Sequence, residues 1–505
     1  MRLALGVHKH GPMLKLGLGG IFVASAFACA NLPNTTTSIA QDEKTTLRQD
    51  QLFANPSGYA ATFSTTGSVE LTGAFFTSFG TNGRTCGSCH QPSDGWTVIP
   101  SHVQERFEAS DGLDPIFRLN DGSVSPNADV STVGARRAAY SMLLSKGLIR
   151  VGIGVPANAD FDLADVDDPY GYASAAQLSL FRRPLPSANL EALSTVMWDG
   201  RETFVDTTRT SGTDCLRPPF PAKCFQTIDF DLSDQSNGAT RGHAQAAVDL
   251  TAEQRAEIVN FETSLYFAQY RDRYAGRLDR HGATGGPENI ASQTTYFGQN
   301  DNFGDYGTGA AFTSAIFNLY DRWADDEDED EEGLGSHAAR AQVARGQALF
   351  NNKPIVISGV GGLNGSLGLP ASFTGTCGTC HDQQNFGNHS VPAPLNIGLT
   401  DASRRTADMP LYTLRCSAHG ITAGHCKGGQ TVQTTDPGRA LITGVWADIG
   451  KFKGPILRGL AARAPYFHNG SAADLGAAVD FYNDRFGIGF TADERADLVA
   501  FLRTL

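Results

Sequence analysis

The chain has no cluster of lysine and arginine. Its 505 residues carry 40 basic and 53 acidic side chains, for a net charge of −13, and without a basic patch there is no footprint for nucleic acid. The apolar stretch Leu16–Ala28 runs for thirteen residues without a charge, short of the about 20 that a membrane crossing needs. Charged residues make up only 18% of the chain against 41% hydrophobic ones, which is too apolar for disorder. The length is too great for one ordinary core, so two domains are expected. Glycine is not scarce: 56 glycines and 23 prolines point to long loops around a scaffold that carries a site.

Arg2, Lys9 and Lys15 precede the apolar stretch, and Ala26-Phe27-Ala28-Cys29-Ala30 closes it with small residues. This is the layout of a secretory signal over residues 1–29, so a periplasmic location is expected. Cys29 lies in a weak lipobox, which leaves two outcomes open. A lipid on Cys29 would be the protein's one link to the membrane, or cleavage after Ala30 would discard the residue. Eight consecutive acids, Asp325 to Glu332, read as a solvated loop, with a docking patch for a basic protein as the sharper alternative.

The other eight cysteines sort into pairs. Cys86 with Cys89 and Cys377 with Cys380 are C-x-x-C pairs, and Cys215 with Cys224 and Cys416 with Cys426 make two local pairs. A disulfide across either short loop is worth about 2.5–3 kcal/mol through loop entropy and suits an oxidising compartment. A zinc site from Cys416, His419, His425 and Cys426 is the rival for the last pair, although its spacing is irregular for zinc.

Each C-x-x-C is followed by histidine: Cys86-Gly87-Ser88-Cys89-His90 and Cys377-Gly378-Thr379-Cys380-His381. With nine cysteines and twelve histidines in 505 residues, two such matches are not coincidence. The spacing lets two thiols form thioethers to the vinyl groups on one haem edge while the next residue sets an imidazole under the iron. Thioredoxin-like chemistry would leave both histidines without a role, and so would one zinc shared by four thiolates. Two covalently attached haem c groups are expected, with His90 and His381 as iron ligands.

The halves echo one another. Thr251 to Phe261 reads TAEQRAEIVNF, and Thr491 to Phe501 reads TADERADLVAF; each is expected to be a threonine-capped helix. Gly73 to Phe76 precedes the first haem motif as Gly346 to Phe350 precedes the second. The expected fold is mainly α: two cytochrome c-like haem domains with long loops and insertions, over 46–269 and 338–505, joined by a Gly/Asp-rich acidic linker at 270–337.

In these residues the chain resembles the bacterial di-haem cytochrome c peroxidase and MauG family. The resemblance rests on the two haem motifs and on Trp198-Asp199-Gly200-Arg201. It also rests on Gln235 within Asp231 to Gln235, on Phe452 to Gly459, and on Ala464 to Ser471 running on to Tyr482. It covers 338–505 well and the first half in patches. It implies hydrogen peroxide as substrate, a small electron-donor protein (cytochrome c or cupredoxin), and electron flow from the haem at His381 through Trp198 to the haem at His90.

By resemblance, Tyr482 is the second ligand of the C-terminal iron, with His468, His389 and Met409 as competitors. Arg458 and His468 are haem-side residues, and Gln235 is the distal amide. Ten residues after Gln235 the family has a glutamate that moves the peroxide proton; this chain has Gln245, and an amide cannot titrate. General acid–base assistance is worth about 10²–10⁴ in rate, so either another group such as His243 takes the proton or turnover suffers. His102 is a candidate movable ligand for the first iron. Calcium is open, since the family's asparagine ligand falls near Arg137. The alternatives to a peroxidase are a MauG-like or rubber-oxygenase-like oxidase and a di-haem electron carrier.

Overall fold

Threonine caps start the two echoed helices where the sequence places them. The computed structural model describes residues 45–203, 213–324 and 336–505; the signal segment with Cys29 and the acidic run lie outside the described residues. Helix Ala252–Ser264 opens with Thr251 Oγ1 accepting from Gln254 N at 3.2 Å while the Gln254 side chain accepts from Thr251 N at 2.9 Å. Helix Ala492–Leu502 repeats the capping box with Thr491 and Glu494 at 3.1 and 2.9 Å. Each box satisfies two backbone donors that the first turn leaves without partners.

Ala252–Ser264 packs on helix Ile228–Gly242, and Ala492–Leu502 packs on helix His337–Asn352. The second pair sits close because Gly346 faces it: a Cβ there would lie 2.0 Å from the Asp497 carbonyl oxygen. Around this crossing Phe317, Tyr320, Trp323, Phe350 and Phe501 form a buried core. A smaller aromatic cluster in the first half joins Phe75, Trp96 and Phe267 with Phe76 and Phe261.

The expectation of a mainly α fold is overturned. Helix accounts for 30% and strand for 18%, in several small sheets, so the protein is mixed α/β. The segments read as loops hold short strands whose partners are far away in sequence. Leu265–Asp272 pairs with Gly58–Ser64 in a four-stranded antiparallel sheet. Leu411–Cys416 takes Thr431–Thr434 on one side and Phe161–Asp167 on the other. That last pairing stitches the two halves together, as does Arg182, whose guanidinium donates to Asp199 at 2.5 Å and to both oxygens of Asp436 at 2.7 and 2.8 Å. Residues 45–505, where described, belong to one compact unit.

Candidate functional site

The two haem motifs adopt the same backbone. Cys86–Ser88 and Cys377–Thr379 are single 3₁₀ turns in which the motif histidine donates its backbone N–H to the first cysteine, His90 to Cys86 at 3.0 Å and His381 to Cys377 at 3.1 Å. The turns are braced alike: Ser88 Oγ accepts from Thr85 N, and Thr379 Oγ1 accepts from Thr376 N. Each imidazole then turns Nδ1 to the carbonyl six residues on, Trp96 at 2.9 Å for His90 and Gly387 at 2.5 Å for His381. A carbonyl only accepts, so Nδ1 carries the proton and Nε2 keeps its lone pair for a metal.

All four motif thiols are unpaired. Burial, the main cause, pushes Cys86, Cys377 and Cys380 up to about 12 and raises Cys89 as well. These are neutral thiols rather than the activated thiolates of a redox or zinc centre. Burial also pulls His90 down to about 4 and lowers His381, so both imidazoles are neutral.

Each motif opens onto a cavity, about 160 Å³ at the first and about 230 Å³ at the second. A single water needs about 10–15 Å³ of such space, so each has room for a group far larger than a few waters. Trp198 lines both cavities, as do Arg183 and Lys453. Its indole N–H donates to the Arg183 carbonyl at 2.8 Å, and its ring meets His468 edge-on at 6.1 Å between centroids.

The polar groups around these cavities want an anion. Arg458 is 1% exposed, lies over the Phe317 ring, and has no partner for any guanidinium nitrogen. Lys453, buried between the cavities, is pushed down to about 7 by desolvation and then by Arg463. Paired thiols, a lone-pair imidazole, a large cavity and unsatisfied cations fit a haem with its two propionates.

No family model matches the sequence. Over 203 residues the chain is 28% identical to a cytochrome-c peroxidase of Denitromonas iodatirespirans, a match covering 37% of this chain and 44% of the relative. It is 42% identical over 76 residues to the cytochrome c551 peroxidase of Nitrosomonas europaea, covering 14% and 23%. It is 29% identical over 130 residues to the methylamine utilization protein MauG of Paracoccus denitrificans, covering 23% and 27%. Over these stretches the chain is similar to bacterial cytochrome c peroxidases and to MauG. The matched stretches span less than half the length of these curated relatives.

The second cavity brings Tyr482, His389 and His468 together on its wall. Tyr482 comes from helix Leu475–Phe486 and is raised by burial and by the neighbouring Cys380 and Cys377 thiols, so its phenol keeps its proton. His468 stacks on Phe452 at 4.1 Å and neither ring nitrogen has a hydrogen-bond partner. Met409 is not brought there; it packs in a separate core with Met142 and Phe181. Arg458 lines neither cavity wall.

At the first cavity Gln235, Ser236, Ala239, Thr240 and His243 form one continuous face along Ile228–Gly242 and its end. Gln245 is exposed, with φ 59°, and contacts Asn82 away from the cavity. His102 is tied to Asp94 at 2.5 Å and does not line the cavity either. What stands beside Gln235 is a chain of charges: His243 Nδ1 bonds Asp121 Oδ2, and Arg84 Nη1 bonds Asp121 Oδ1. Burial pulls the Asp121 carboxyl up, but His243 and Arg84 outweigh it and hold the group below the usual carboxylate range.

Glu262, also on the cavity wall, is pushed up to about 8 by burial, with the Ser187 hydroxyl pulling the other way. Ser187 Oγ in turn lies 2.9 Å from His90 Nδ1. Asp121 left no signal in the sequence. Glu262 did: its counterpart in the echoed helix is Leu502, and an acid at the apolar end of an amphipathic repeat marks a specialised position.

The local cysteine pairs lie at disulfide distance, 1.98 Å for Cys215–Cys224 and 2.04 Å for Cys416–Cys426. The alternative zinc set is thereby lost, and His419 and His425 share the Asp160 carboxylate instead.

Proposed function

We propose that the protein is an exported di-haem c-type peroxidase that reduces hydrogen peroxide with electrons from a cytochrome or cupredoxin. The observation carrying this reading is the common wall: Trp198 faces both motif-lined cavities. Cys86, Cys89 and His90 would hold one haem c, and Cys377, Cys380 and His381 the other; the haem irons supply the redox couple. Lys453, on the wall of both cavities, would neutralise a propionate. Residues 46–269 then form the peroxidatic half and 338–505 the electron-accepting half, with Phe317, Tyr320 and Trp323 of the intervening 270–337 packed into the core of the latter.

Peroxide takes two electrons and two protons to become two waters. Gln235 orients it from the helix face, and His243, fixed by Asp121, takes a proton from the attacking oxygen and gives it to the leaving one. Asp121 keeps the imidazole's Nδ1–H engaged so that Nε2 does the exchange. Trp198 joins the cavity that receives electrons to the one that uses them. Peroxide-dependent oxidation of reduced cytochrome c by the holo-protein tests this reading; a rate no better than free haem overturns it.

Tyr482 in the second cavity and the absence of a carboxylate at position 245 favour a second reading, a MauG-like or rubber-oxygenase-like oxidase. EPR of the oxidised protein showing His/Tyr ligation, together with no peroxidase turnover, would select it.

A further inference from the structure

At the second cavity, whose wall includes His389, three side chains converge that the proposed proton and electron path does not use. Asp301, Asp382 and His389 each offer one ligand atom, and these atoms lie within 4.8 Å of one another. Asp301 and Asp382 are 0% exposed and His389 8%. Each carboxylate spends one oxygen on a backbone donor: Asp301 Oδ1 accepts from Phe303 N at 2.9 Å, and Asp382 Oδ1 accepts from Ser390 N at 2.6 Å. The other oxygen of each has no donor, nor has His389 Nδ1 an acceptor. The same loop carries two more unsatisfied buried oxygens, Asn388 Oδ1 and Ser390 Oγ. Among the described residues no lysine or arginine pairs with either acid. Two buried carboxylates with no cationic partner but an imidazole are costly unless an ion joins them.

His389 Nδ1 and Asp382 Oδ2 stand 3.1 Å apart, yet outside hydrogen-bond geometry. The spacing also accommodates a shared metal, because adjacent ligands at about 2.1 Å from one ion are about 3.0–3.4 Å apart. We propose that Asp301, Asp382 and His389 form a buried site for a divalent first-row cation. One imidazole with two carboxylates suits Zn²⁺ or Mn²⁺ better than Ca²⁺, which prefers oxygen throughout. The remaining positions are open to Asn388, Ser390 or water. The site does not depend on the peroxidase reading, although His389 also lines the second cavity, so the ion's charge is felt by any redox group bound there.

The test uses holo-protein in a His419→Ala, His425→Ala background, which removes the exposed histidines at Asp160. The protein is stripped with dipicolinate, reloaded with Zn²⁺ or Mn²⁺, and gel-filtered, and metal is counted by mass spectrometry separately from haem iron. About one equivalent should stay bound, and Asp301→Asn, which keeps the side-chain shape, should lose most of it. The bound ion should also raise the unfolding temperature of the parent and leave that of Asp301→Asn unchanged. Retention of no equivalent by the parent overturns the proposal, and equal retention by Asp301→Asn does so too. If Asp301→Asn fails to fold, the parent's loss and recovery of one equivalent through a strip-and-reload cycle, with the matching thermal shift, decides the matter.

Discussion

His243 and Glu262 sit at the same cavity in opposite settings. His243 is held by an ionised Asp121 and is half exposed, so it can exchange protons with solvent. If it carries the peroxide proton, His243→Gln lowers kcat by about 10²–10⁴ and leaves haem content and the donor's KM unchanged, as steady-state kinetics on the purified variant would show. Glu262 is buried with a folded pKa of about 8, well above the ordinary glutamate value of about 4.3. The native state therefore keeps a proton that the unfolded chain gives up, and stability falls as pH rises between those values, levelling off above about 8. Glu262→Gln should flatten that slope, so urea unfolding should find the variant gaining on wild type from pH 5 to pH 9.

At this scale spacing or resemblance marks the haem motifs, Trp198 and Gln235 in the sequence, and all of them come to line the two cavities. Asp121 carries no such mark, since its partners Arg84 and His243 lie 37 and 122 residues away. Gln245, the position where the family has its acid, is turned to the surface.

Among the elements, the echoed helices were readable because a capping box is a local pattern. The strands were not, because Leu411–Cys416 meets Phe161–Asp167 across more than two hundred residues and nothing near either segment announces the partner. Arg182 ties the same regions: Asp199 and Asp436 are 0% and 3% exposed and depend on its guanidinium. Arg182→Met should cost about 3–5 kcal/mol in urea unfolding, since buried Asp436 loses its arginine and buried Asp199 keeps only Arg201. Burial raises Asp199, but Arg182 and Arg201 bring it below the ordinary range. Its contribution is therefore present above the unfolded value near pH 4 and is lost as pH falls through the lower folded value, an acid-side dependence that should weaken in the variant, where Arg201 alone remains. Gly346→Val forces a side chain into the Asp497 backbone and should cost about 1–3 kcal/mol by overpacking, read from the same unfolding curves.

Across the whole molecule, the halves expected from the duplication share one three-stranded sheet and the Arg182 cluster. A fragment of residues 338–505 would carry Leu411–Cys416 with one edge bare, so it should unfold without a cooperative transition by circular dichroism, while the full chain shows one.

The duplication also leaves matched surroundings at the two motifs. Phe75 lies 6.2 Å from the His90 ring and 4.8 Å from Phe261, while Phe350 lies 6.1 Å from the His381 ring and 5.9 Å from Phe501. The protein thus contains its own internal standard: Phe75→Leu and Phe350→Leu are one perturbation applied at two addresses. An absorption or magnetic-resonance line that shifts with one and ignores the other is assigned to its chromophore without separating the two.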